Sequence, residues 1–131
     1  MKPGLSEVLF FHTVAIQQYG GAEGVRDKGA LEATIARPWM SYGGQEFFPT
    51  PYDKAAALCE SIIQRNPFIE GNKRTGISAG AYLLYTFGIE LEATNRELED
   101  LTVEVAIRNV DTAMLAAWFK AHSSRLYSPS A

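Results

Sequence analysis

The chain has little of what would mark it for a membrane, an oxidising compartment or bulk nucleic-acid binding. No apolar run approaches the roughly 18 residues of a membrane span. The first residues carry one lysine, then Pro3 and Gly4, and Glu7 and His12 interrupt the apolar stretch that follows, which argues against a signal peptide. A single cysteine, Cys59, excludes an internal disulfide. It falls among Ala55, Leu58 and Ile62 at helical spacing, so a buried thiol is expected and not a nucleophile. Net charge is small and negative, −3, which gives no bulk electrostatic reason to bind a polyanion. Internal repeats, linkers and low-complexity tracts are also missing. What remains is one domain of 131 residues, 47% apolar, large enough for a single core. A soluble, cytoplasmic protein is expected, with neither membrane nor direct nucleic-acid contact.

Hydrophobic periodicity predicts about six helices and no convincing sheet, an all-α bundle. Ser6 is placed to cap a first helix to about Tyr19, ended by Gly20-Gly21. Asp27 is placed to cap a second over Lys28–Arg37, stopped by Pro38. Residues 38–51 combine prolines, the Gly43-Gly44 pair and Trp39, Tyr42, Phe47 and Phe48, which predicts a flexible loop or a small hairpin. A third helix runs from about Asp53 to Gln64. A fourth runs to Phe87, apolar on most sides and so expected to be the central, buried one. After a short extended link at 89–92, Thr94-Asn95-Arg96-Glu97 reads as a capping box for a fifth helix through about Arg108. Asp111 caps a sixth, with Met114, Leu115, Trp118 and Phe119 turned inward. The predicted domain covers 6–122, and 123–131 a flexible tail.

The densest chemistry lies in Asn66-Pro67-Phe68-Ile69-Glu70-Gly71-Asn72-Lys73-Arg74-Thr75, directly before the fourth helix. Gly71 permits a turn and close approach of a ligand. The amides of Asn72, Lys73 and Arg74 become first-turn donors without intrahelical partners, at the positive end of the helix dipole. Lys73 adds a point charge and Arg74 a planar fork for phosphate oxygens. Glu70 suits a hydrated Mg²⁺ bridging to those phosphates. The pattern points to a polyphosphate, most simply ATP or another nucleoside triphosphate. His12 reads as a structural histidine inside the first helix, and His122 as a surface residue near the end of the sixth.

The same decapeptide resembles the signature of the Fic/Doc (Fido) superfamily, and its Lys73-Arg74-Thr75 ending is similar to the death-on-curing (Doc) toxin branch. Arg26-Asp27-Lys28-Gly29-Ala30-Leu31-Glu32 resembles a second family segment; its plain reading is a cap with a solvated charged turn. Two departures stand out: Glu70 replaces Asp or Asn, and Asn66 stands where the family has its catalytic histidine. The resemblance implies that Phe68 anchors the loop, Glu70 binds metal, Gly71, Asn72 and Lys73 form the anion nest, and Arg74 clamps phosphate. It implies a flap at 38–51 that docks a target peptide; an aromatic lid over the core fits the residues as well. Lys73, with no second arginine beyond Arg74, implies phosphorylation and not the adenylylation of Fic enzymes. The implied target is a threonine of translation elongation factor Tu, and the implied partner is a Phd-like antitoxin with a disordered tail.

Asn66 bears on all of this, because an amide has no usable basicity at neutral pH whereas a histidine does. Three accounts fit: an inactivated variant, a natural non-catalytic member, or an enzyme using His12 or Glu70 as its base.

Overall fold

Helix ends in this chain are written by side chains that satisfy first-turn amides. The computed structural model describes residues 2–126. Asp27 Oδ1 accepts the Ala30 N–H at 2.9 Å and opens α2, Lys28–Ala36. Thr50 and Asp53 form a reciprocal box at the start of α3, Pro51–Arg65, with Pro51 at the first helical position. Thr94 and Glu97 do the same for α5, Asn95–Ala106, as the sequence predicts. The Thr94 backbone N–H and hydroxyl, with the neighbouring His122, hold the Glu97 carboxyl below its usual range. Asp111 caps α6, Thr112–Ala121. The first helix departs from expectation. α1, Leu5–Tyr19, starts at Gly4, whose N–H donates to Glu7 Oε1 at 2.8 Å, and Ser6 lies inside the first turn. With α4, Asn72–Thr86, six α-helices fill the described residues, and the all-α reading holds.

The extended pieces are small. After a 3-10 turn over Arg37–Trp39, Ser41–Tyr42 (β1) and Gln45–Glu46 (β2) pair antiparallel, joined by Gly43 and Gly44 at φ 58° and 80°. Positive φ at both turn positions is the geometry that glycine pairs favour in a two-residue hairpin. Ile89–Leu91 (β3) pairs antiparallel with Ser123–Arg125 (β4). Residues 123–125, expected to belong to a flexible tail, are therefore tied back onto the bundle; residues 127–131 lie outside the described residues. The 89–92 link and Ser123 are far apart in sequence, so no local pattern announces this pairing.

The centre of the bundle is α3, not α4. Every residue from Lys54 to Ile63 is buried, because α2, α4, α5, α6 and the 3-10 turn all pack on it. Its small residues Ala55, Ala56, Ala57 and Cys59 allow neighbours on all sides. The polar residues it buries have partners. The Arg37 guanidinium donates to Glu60 Oε1 at 2.9 Å, Ser61 Oγ at 2.8 Å and Thr112 Oγ1 at 3.1 Å, joining the 3-10 turn to α6. Lys54 Nζ donates to Glu46 Oε1 at 2.8 Å and to the Phe48 carbonyl, anchoring the hairpin. α4 buries one face, through Thr75, Gly76, Ala79, Gly80 and Leu83, and leaves Tyr85 exposed. On α6, Leu115, Ala116 and Phe119 are buried and Met114 is turned out to solvent.

The α3–α4 crossing sets where the chemistry-bearing end of α4 lies. A Cβ at Gly76 would sit 2.9 Å from Ile63 Cγ1 and 3.0 Å from the Cys59 carbonyl oxygen. Gly76→Ala is expected to force the helices apart and lower stability by about 1–3 kcal/mol despite the better helix propensity of alanine. A urea midpoint reads this. The same packing encloses Cys59, whose thiol burial and the nearby Glu60 charge push up in pKa. A maleimide or disulfide reagent is expected to label it only after denaturation.

Candidate active site

α3 ends at Arg65 and α4 begins at Asn72, and the six residues between them are held from three directions. From below, the Phe68 ring is fully buried and stacks on His12, with centroids 3.9 Å apart and planes at 7°. From within, the Asn72 side chain accepts the Phe68 N–H and donates to the Phe68 carbonyl, both at 3.0 Å. From the side, residues 24–27 run antiparallel to the loop, with an isolated bridge between Val25 and Phe68. Ile69 N–H donates to Gly24 O at 3.1 Å, and the Arg26 and Asp27 amides donate to Pro67 O at 2.7 and 3.1 Å.

Two residues of this loop adopt left-handed backbone. Gly71, at φ 81°, is the residue before α4, and a Cβ there would come 3.1 Å from Ile16 Cδ1. Asn66 has φ 48° and ψ 58° and closes α3. Proline at 67 biases its predecessor to extended backbone, and that is the sequence expectation for Asn66. The structure departs from it because asparagine tolerates this region as few residues do. The carbonyls of residues 65, 66 and 67 are also engaged by Arg26 and Asp27. Left-handed backbone costs roughly 1–2 kcal/mol for a general residue and less for asparagine.

The outcome is one open cleft of about 430 Å³ that gathers Asn66, Glu70, Gly71, Asn72, Lys73 and Arg74, with Ala15, Tyr19 and Gly20 of the α1 end opposite. α4 has no side-chain cap, so its first amides face this cleft unshared. Lys73 is exposed and enters no ion pair among the described residues. Arg74 is engaged: its guanidinium lies 3.2 Å from the Tyr19 ring centroid, and one nitrogen is 3.4 Å from Glu99 Oε1. On the far side of Arg74 and Tyr19 is a second cavity of about 210 Å³, floored by Ile77 and Leu98 and edged by Gln18, Ser78, Asn95 and Glu99. Glu70 is exposed, with Oε2 close enough to Gly21 that a Cβ there would lie 2.8 Å away.

The structure sharpens two sequence assignments and changes one. The Asn72 backbone N–H lies in the first turn of α4, as the sequence reading has it, and its carboxamide is spent on Phe68. His12 is buried, lines neither cavity, and its Nε2–H donates to Glu70 O at 2.8 Å, so it supports the loop in the structural role the sequence gives it. His122 is half-buried and not a surface residue: it stacks on Trp118 at 3.7 Å and donates from Nδ1 to Trp118 O at 2.8 Å. Sequence reasoning passed over Tyr19 and Glu99, the partners of Arg74, which lie on other helices and carry no local signal. Lys73 and Arg74 share one cavity, and the carboxylate and position 66 open onto it.

Fold and site together define an all-α domain with a polar cleft at a helix N-terminus. Residues 4–84 match the Fic/DOC family, and the chain belongs to it. It is similar to toxin Doc of Mycolicibacterium smegmatis, 40% identical over 101 residues, spanning 76% of this chain and 78% of that protein. It is also similar to the protein kinase doc of Escherichia phage P1, 27% identical over 110 residues, spanning 84% of this chain and 86% of the relative.

Asn72 is the most sensitive point of the loop. Asn72→Ala is expected to leave the Phe68 N–H and carbonyl unpaired in a buried place and lower stability by about 2–4 kcal/mol. Asn72→Asp should lie in between, keeping the acceptor and losing the donor. Thermal and urea melts of both variants check the order.

Proposed function

We propose that this chain is a Doc-like toxin of a toxin–antitoxin pair, built as a protein kinase that transfers a phosphoryl group from ATP to a threonine, and catalytically weakened by Asn66. The observation that carries the reading is the convergence of the free α4 amides, Lys73, Arg74, Glu70 and position 66 on one cleft. The similarity to a toxin Doc and to a protein kinase doc supports both halves of it.

The residues fit a Mg²⁺–triphosphate. Among the described residues no three His, Cys, Asp or Glu side chains cluster as a metal cage. Mg²⁺ ordinarily needs only one or two carboxylates when substrate phosphates and water complete its shell, and Glu70 at the cleft supplies one. The ion, when bound, would offset phosphate charge. The α4 amides and Lys73 would hold phosphate oxygens, and Arg74, already fixed by Tyr19 and Glu99, would clamp from the wall of the cleft. Such preorganised charge is most of what a protein supplies in phosphoryl transfer.

In the transfer, the threonine Oγ bonds to the terminal phosphorus, the bridging P–O bond breaks, ADP leaves, and the hydroxyl proton must go to a base. Asn66 can accept a hydrogen bond from the hydroxyl but cannot take its proton. Loss of a general base typically removes about 10²–10⁴-fold of rate, while the phosphate ligands are untouched. Lys73, where adenylyltransferases of the family carry glycine, favours transfer of the terminal phosphoryl group over transfer of the nucleotidyl group. The proposed target is elongation factor Tu, with arrest of translation as the result, and the proposed partner is a Phd-like antitoxin.

Histidine, like asparagine, is enriched in left-handed backbone, so Asn66→His introduces no backbone conflict. This substitution is expected to raise phosphoryl transfer from ATP to elongation factor Tu at least about tenfold; equal rates for both proteins would discard the missing-base account. Mass spectrometry of the product separates an added phosphoryl from an adenylyl group. A second reading, a module that binds antitoxin without handling nucleotide, wins if Mg·ATP gives no thermal shift while a Phd-like peptide gives a large one.

A further inference from the structure

The Gly24–Asp27 stretch has no place in the chemistry so far, and its charged end, Arg26-Asp27, begins the 26–32 segment that reads from sequence as a cap with a solvated turn. Asp27 does cap α2, but Arg26 does something else. Its Nε–H donates to Asn66 O at 2.7 Å and one Nη–H donates to Arg65 O at 2.8 Å. Its main-chain N–H donates to Pro67 O at 2.7 Å, joined there by the Asp27 N–H. Residues 26 and 27 thus take three consecutive carbonyls, those of residues 65, 66 and 67. Those of residues 65 and 66 belong to the unpaired end of α3, where the helix dipole also favours a cation. They flank the one non-glycine residue of the loop with positive φ.

We propose that Arg26 is the positioning residue for position 66. By fixing the carbonyls on either side of that residue's Cα–Cβ bond, it sets the direction in which the side chain enters the cleft, whichever side chain is present. It lines neither cavity and touches no phosphate ligand. Its effect must therefore fall on the geometry of proton removal and spare nucleotide affinity. The fork matters as well as the charge, since a lysine ammonium is a point donor and cannot span two carbonyls in a fixed plane.

This rests on the kinase reading for its catalytic part, and the test keeps the two apart. In the Asn66→His protein, Arg26→Ala is expected to lower kcat at least about tenfold with KM for ATP held within about twofold, since small misplacements of a reacting group carry large rate losses. Arg26→Lys is expected to fall between. In the unsubstituted chain, hydrogen exchange at the Asn66 and Ile69 amides should speed up at least about tenfold on Arg26→Ala, with the middle of α3 unchanged. Unchanged kcat and unchanged exchange overturn the proposal. So does a matching loss of ATP affinity, which would make Arg26 part of binding or of the global fold. If Asn66→His transfers nothing, the kinase reading falls, and the exchange experiment still decides whether Arg26 sets this backbone. If Arg26→Ala does not fold, the lysine variant decides, and behaviour identical to arginine overturns the fork.

Discussion

A carboxamide that satisfies both backbone groups of Phe68 holds the turn between the two best-packed helices of this protein. Asn72 is the first residue of α4, so the same side chain that pins the loop also starts the helix whose amides face the cleft. Removing the loop from solvent in this way needs every polar group inside it to be matched. His12 to Glu70 O, Ile69 to Gly24 O and the double bond to Phe68 meet that demand. Phe68 adds the apolar weight, stacked on an imidazole that is itself buried. Glu70 and Asn66 lie at the two exposed ends of this segment, each with its backbone carbonyl hydrogen-bonded.

The two adjacent cations are given different tasks by their surroundings. Lys73 is exposed and enters no ion pair among the described residues. Arg74 is stacked on Tyr19 and tethered to Glu99, so its position is set before any ligand arrives. A surface ion pair as exposed as Arg74–Glu99 contributes little stability; its consequence is orientation. The tether also places the guanidinium between the two cavities, where it faces both.

Periodicity located the helices well because each has one face that must leave water. It ranked them wrongly. α4 looks apolar on most sides, yet Tyr85 is exposed, whereas α3, with Lys54, Glu60 and Ser61 in its buried stretch, is the enclosed one. Those three polar residues are buried with partners from other elements: Glu46 for Lys54, Arg37 for Glu60 and Ser61, and Thr112 for Glu60. The β3–β4 pair was hidden for the same reason: Leu91 and Ser123 meet only after α5 and α6 have folded back.

The sequence by itself determined the helix ends and the order of the chemistry. Asp27, Thr94 and Asp111 cap where the sequence reading placed them, Thr50 caps ahead of the expected start near Asp53, and the Glu70–Gly71–Asn72–Lys73–Arg74 run leads into a helix as a unit. Short-range hydrogen bonds of this kind are readable because both partners sit in one stretch of chain. Only the tertiary structure decided that the Asn72 carboxamide turns inward, that His12 is a strut, that Tyr19 and Glu99 hold Arg74, and that Arg26 braces position 66 from forty residues away. Those are choices among partners distant in sequence, and they are made by which surfaces the packed helices bring within hydrogen-bonding reach.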